Sequence, residues 1–169
     1  ADEIHDAMHE FLFDKNEKRF VRSVYYEEGH LKKDMTIDST SLFVSLFDCC
    51  ENDELEVAAT VEMVKEKLWV KGEIGGIARY EHDLYHRPKH GMKAIPGNPW
   101  FICTIWLGKY YIHAAKNSQE LEKALEIMEW VVKRALPTGI LPEQIHPTTG
   151  EPLSVSPLTW SHAEFVELV

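Results

Sequence analysis

The sequence predicts an all-α protein built in two layers, with half-exposed helices outside and apolar helices within. Two observations carry this expectation. Six helical segments can be marked along the 169 residues; the first, third and fifth are amphipathic, the second and fourth are apolar all round, and the sixth is mixed. The connections alternate in step. Links from an apolar to an amphipathic helix are short (51–52 and 116–117), whereas those in the other direction are long and rich in glycine, proline and charge. Long links that all leave the outer layer must open on one end of the bundle, and loops held by such a scaffold carry function.

Each element has its own signal. Residues 3–13 place Ile4, Met8, Phe11 and Leu12 at helical spacing opposite Glu3, His5, Asp6 and His9. A short hairpin is expected at 20–26. Asp38 or Ser39 can cap a second helix reaching Cys49, whose apolar core at 42–47 is expected to be buried on all sides. Asp53 and Glu56 have capping-box spacing before a third helix, with Val57, Val61, Val64 and Leu68 in one stripe. After a long loop over 71–97, Asn98 is placed as cap and Pro99 in the first turn of the fourth helix. That helix, 100–112, is too short to span a membrane and is broken by Gly108 and Lys109. Ser118 is read as the cap of the fifth, with Leu121, Leu125, Met128, Val132 and Ala135 as its core stripe. From Leu136 to Pro157, prolines and glycines are too dense for a helix or central strand, while Leu141, Ile145, Leu153 and Val155 anchor the loop. The sixth helix starts near Pro157.

Composition sets outer limits. Forty-four per cent hydrophobic residues with five tryptophans indicate one folded domain, not a disordered chain. A net charge of −10 argues against nucleic acid or an anionic membrane as partner. Three cysteines, two of them adjacent, make no disulfide framework and read as buried thiols of a reducing compartment, so a cytoplasmic location is expected.

Glu143 is the leading candidate for chemistry. It lies between the apolar Leu141 and Ile145, so its carboxylate should emerge at the edge of an apolar wall, and desolvation there favours proton transfer. In the second long loop Arg79 and Asp83 are four residues apart, and the planar guanidinium fork suits Asp83 or a pair of vicinal hydroxyls. His82, His86 and His90 have i, i+4 spacing, but Pro88 interrupts any helix there, so no metal site is expected. His5 and His9 read as surface or half-buried positions. Cys49, Cys50 and Cys103 lack a partner pattern for nucleophilic catalysis. No cofactor is expected.

Leu-Pro-Glu-Gln at 141–144, the Thr-Gly turn at 149–150 and Pro-Leu-Thr-Trp-Ser-His-Ala at 157–163 together resemble the last active-site loop of glycoside hydrolase family 15. This is the glucoamylase-type family, with glucodextranase and trehalase relatives. The stretch from Arg79-Tyr80 through Asp83 and Tyr85 to Gly97-Asn98-Pro99-Trp100 is similar to another loop of the same family. The resemblance implies an (α/α)6 barrel, of which three helix pairs are present, so residues 1–169 read as the C-terminal half of a catalytic domain. It implies Glu143 as the general base of an inverting hydrolysis at a terminal α-linked glucose. The family's substrates include starch-type and dextran-type α-glucans and trehalose.

The same resemblance makes Arg79 a donor to sugar hydroxyls, with Asp83 orienting it. Trp100, expected exposed at a helix mouth, and Trp160 offer apolar faces to the substrate. The general acid of that family lies upstream, and Tyr25 to Gly29 does not match its loop, so the isolated chain is expected to be inactive. The open side of a half barrel is expected to expose apolar surface around Trp106, leading to self-association or pairing with the N-terminal part. The other readings are a carbohydrate-binding or regulatory relative of the same fold without catalysis, and a helical interaction scaffold.

Overall fold

The computed structural model describes residues 2–47, 50, 55–88 and 95–169. Helix α1 (Asp2–Ala7) runs on through a π-helical turn, Met8–Leu12, into strand β1 (Phe13–Asp14), which pairs antiparallel with β2 (Arg19–Phe20). Met8 and Leu12 pack against the core while Ile4 and Phe11 face water, so the amphipathic stripe is only half used. In place of one hairpin at 20–26 there are two, the first closing at Phe20 and the second opening at Ser23. The second joins β3 (Ser23–Glu27) to β4 (His30–Asp34) through Glu28 and Gly29, both with positive φ.

Asp38 caps as expected: its Oδ1 accepts from the Thr40 backbone N–H at 2.9 Å. A 3₁₀ turn (Ser39–Leu42) leads into the short α2 (Phe43–Leu46). Burial on all sides does not hold, because Phe47 is 66% exposed. The helix has ended by then, and the Phe47 ring meets Phe43 at 4.8 Å. The Asp53–Glu56 capping box involves Asp53, which lies outside the described residues.

Helix α3 (Leu55–Leu68) buries Val57, Val61, Val64 and Leu68, the expected stripe. Helix α4 (Phe101–Ala114) is the centre of the molecule, packed by α2, by α5 (Ser118–Arg134) and by α6 (Thr159–Leu168). Every residue from Phe101 to Gly108 is buried, which is why this helix carries no polar face. Gly108 permits the close approach: a Cβ there would stand 2.8 Å from Ile127 Cγ2 and 3.0 Å from Leu168 Cδ1.

Two details of α5 differ from expectation. The cap is Asn117, whose Oδ1 accepts from Glu120 N–H, not Ser118. The buried face is Ala124, Ile127, Trp130 and Val131, while Leu125 and Val132 face water. Trp130 sets this roll. It is the bulkiest side chain of the helix, it packs on Phe101 at 5.2 Å, and its indole N–H needs an acceptor, which it finds in the Ile74 carbonyl at 2.8 Å. Trp106 is likewise buried rather than exposed, covered by Phe43 and Trp160. Large apolar side chains on the surface include Phe47, Trp160 and Val166 instead.

The loops entering α2, α4 and α6 meet at one end of the helices. Ser39 N–H donates to the Arg79 carbonyl, Trp100 N–H to that of Ile77, and Phe101 N–H to that of Glu143. Single bridges of β type pair Asp38 with Tyr80, Ala78 with Pro99, and Trp100 with Gln144. These contacts satisfy buried loop backbone that would otherwise be costly. Gly76 is central to the arrangement. Its φ is +91°, and a Cβ would lie 2.5 Å from the Trp130 ring. Gly76→Ala is therefore expected to destabilise the fold by about 1–3 kcal/mol, read as a lowered denaturant midpoint at unchanged slope. An unchanged midpoint would mean that the Trp130 ring yields freely.

Candidate active site

Glu143 is held by its backbone on both sides. Its N–H donates to the Val155 carbonyl at 2.9 Å, and its carbonyl accepts from Phe101 N–H at 3.1 Å. Its neighbours Leu141 and Ile145 are buried, as their apolar character implied, and the side chain itself is half-buried. Strand β5 (Gln144–Ile145) pairs with β6 (Pro152–Leu153), and the His146 side chain closes the intervening turn by accepting from Thr148 and Thr149 N–H. Gly139 makes a separate turn, its N–H donating to the Leu136 carbonyl at 2.8 Å.

A chain of two amides leads to the carboxylate. Asn98 Nδ2 donates to Gln144 Oε1 at 2.7 Å, and Gln144 Nε2 donates to Glu143 Oε2 at 3.2 Å. Both amides are almost completely buried. Asn98 does not cap α4; its Nδ2 also lies within bonding distance of the Tyr85 and His86 carbonyls, at 3.3 and 3.1 Å. The residue that precedes the helix is Trp100, in extended conformation and without a side-chain cap. An Asn-Pro pair reads locally as a cap, yet the amide is drawn away by acceptors 12–46 positions distant. The distant pairing leaves no local signal.

The first turn of α6 clamps the same loop. Ser161 Oγ donates to the Pro142 carbonyl at 2.9 Å, and His162 Nε2 accepts from Leu141 N–H at 3.0 Å. This acceptance uses the Nε2 lone pair and places the ring proton on Nδ1. Ser161 and His162 escaped the candidate set because they act on backbone.

Arg79 and Asp83 pair as their spacing suggested. Arg79 Nε and Nη2 donate to the two oxygens of the buried Asp83 carboxylate, each at 3.0 Å. Burial works to lower the Arg79 pKa, but bonding to Asp83 and its charge outweigh this and raise it. The guanidinium lies over the rings of Trp100 (4.6 Å), Tyr80 (4.8 Å) and Tyr85 (5.1 Å). Among the described residues Nη1 has no acceptor, so its N–H groups are available to a ligand.

Trp100 corrects its expectation: it is 5% exposed, a buried platform beneath Arg79 rather than an open face. Pairing with Gln144 draws its backbone into the loop network, and Tyr85 and Arg79 cover the ring. Contacts thus join Arg79, Asp83, Trp100, Gln144 and Glu143 into one cluster. Trp160 is half exposed at the start of α6, where its ring meets Trp106 and its N–H donates to Glu164. His82 and His86 both have positive φ, so no helical alignment forms, and His90 lies outside the described residues. Burial pushes the Cys103 thiol up to about 12, and Ser39 Oγ donates to its sulfur. It is a packing residue.

A carboxylate bonded through buried amides and an arginine fork among aromatic rings are thus carried on the loops that join the helices. The model of glycosyl hydrolases family 15 matches residues 1–169, and the chain belongs to that family. It is 33% identical over 162 residues to an uncharacterized glycosyl hydrolase of Methanocaldococcus jannaschii, covering 90% of this chain and 23% of that protein. A glucoamylase of a Clostridium species is 40% identical over 96 residues, 53% of this chain and 12% of its own. Among solved structures, a bacterial glucoamylase complexed with acarbose superposes with a TM-score of 0.79 at 25% identity, covering 99% of this chain and 27% of that one. The fold is part of the glucoamylase (α/α)6 barrel. The chain spans about a quarter or less of the curated relatives just named. Among the described residues, no helix is long and apolar enough to cross a membrane.

Proposed function

We propose that the chain supplies the general-base half of an inverting α-glucoside hydrolase acting at a terminal glucose, as the C-terminal half of its catalytic domain. The observation that carries this reading is the fixed presentation of Glu143. Both its backbone polar groups are bonded, and one carboxylate oxygen is held by Gln144, which Asn98 holds in turn. Among the described residues the other oxygen, Oε1, has no hydrogen-bond donor, so it is left for water, and the carboxylate can take a proton as that water attacks the anomeric carbon. Arg79 presents Nη1 to adjacent sugar hydroxyls, with Asp83 and Trp100 fixing its plane, and Trp160 adds an apolar face at the rim. The general acid comes from outside these residues.

In this arrangement the two carboxyl groups stand roughly 6.5–9.5 Å apart, leaving room for water on the face opposite the leaving group. An α-linked substrate of the complete enzyme is therefore expected to yield β-glucose as first product. Proton NMR of the fresh hydrolysate, read before mutarotation, checks this. An initial α-anomeric signal would make Glu143 a nucleophile and overturn the role given to it.

A further inference from the structure

Away from Glu143, the fold brings together three side chains that the hydrolytic reading does not use. His5 on α1, His9 on the π-helical turn and Cys50 in the link after α2 place one ligand atom each within 4.8 Å of one another. His9 Nε2 stands 3.4 Å from Cys50 Sγ. Tetrahedral zinc with nitrogen and sulfur ligands has ligand–ligand edges of roughly 3.3–3.8 Å, so this edge is already at metal-binding length. The longer separation needs only a rotation of His5, whose side chain is half exposed.

The state of His9 adds an independent argument. Its Nδ1 lies 3.1 Å from Glu56 Oε2. A carboxylate there accepts a hydrogen bond from Nδ1–H and leaves the Nε2 lone pair directed at Cys50. This carboxylate–histidine pair is the arrangement that orients and strengthens imidazole ligands of zinc. Cys50 is buried, which keeps the thiol from bulk solvent, while the exposed side at His5 admits an ion and leaves a fourth position for water.

We infer that His5, His9 and Cys50 form a site for Zn²⁺ or a similar borderline divalent ion, with Glu56 positioning His9. Binding displaces the Cys50 thiol proton to solvent, and the thiolate, two neutral imidazoles and a water complete the coordination. The site has a structural rationale. Helix α1 buries none of its residues, so apolar packing does little to hold it. A metal joining α1, the turn after it and the α2–α3 link fastens that helix to the core.

The test is titration of the metal-free complete protein with Zn²⁺ against a chromophoric chelator, and with Co²⁺ followed by absorption. One tightly bound ion per chain is expected, with a thiolate-to-cobalt charge-transfer band and tetrahedral d–d bands. His5→Ala and Cys50→Ser should each remove the high-affinity site, and Cys50→Ser the charge-transfer band. Glu56→Gln should weaken binding about 10–100-fold. Cys103→Ser should change neither. Because Cys50 is buried, its loss can perturb folding; the half-exposed His5 keeps the test decisive, since His5→Ala disturbs no core contact. Absence of tight binding, a cobalt spectrum without thiolate character, or affinity that survives both ligand substitutions would overturn the assignment.

Discussion

Glu143→Gln in the complete enzyme is expected to lower kcat about 10²–10⁴-fold, some 3–5.5 kcal/mol of transition-state stabilisation, while sugar binding persists. The substitution is nearly isosteric. The backbone clamp to Val155 and Phe101 does not depend on the side chain, and the new amide oxygen can still accept from Gln144 Nε2. What disappears is the ability to accept a proton from water. A loss within about tenfold would show that Glu143 is not the base. Asn98→Ala separates base from support: it leaves the carboxylate in place and removes the amide that orients Gln144. It should lower kcat by less than Glu143→Gln does, with little change in KM, whereas a purely structural Asn98 would alter stability alone.

Arg79→Ala is expected to cost both binding and stability, and a cycle with Asp83 divides the two. Removing the guanidinium strands a buried carboxylate, an error worth about 3–5 kcal/mol in a fully dry site. Because Arg79 is one-third exposed, solvent offsets part of this, and a loss of about 2–3 kcal/mol is expected in a denaturant series. Replacing both residues, as Arg79→Ala with Asp83→Leu, removes the stranded charge and should recover a large part of that stability. Activity should stay low, since nothing then donates to the sugar. If the double variant regains turnover, the Arg79–Asp83 pair only maintains the loop and the substrate contact lies elsewhere. Arg79→Lys should also fail, because an ammonium cannot reproduce the two parallel bonds or the stacking on Trp100.

Much of this protein was legible along the chain because its determinants are local or periodic. The stripe of Val57, Val61, Val64 and Leu68 and the uniformly apolar α4 follow from residue spacing and need no partner to be recognised. The Asp38 cap and the Arg79–Asp83 pair act over two and four residues. The candidate base stood out from its apolar neighbours and the loop string around it. Decisions requiring distant surfaces were not legible. The roll of α5 was set by Trp130 against Phe101 and the Ile74 carbonyl, so Leu125 and Val132 face water although they complete a good stripe. Asn98 left the cap position its neighbours suggest because the Tyr85 and His86 carbonyls earlier in its own loop and the buried Gln144 of another loop compete for its amide. Trp100 became a support beneath Arg79, not an open platform, and the His5–His9–Cys50 cluster exists only because the fold brings His5 and His9 beside Cys50 from far along the sequence. Spacing fixes which face a residue occupies on its own element; only the packed chain fixes what that face meets, because burial and hydrogen-bond competition depend on groups brought together from far along the sequence.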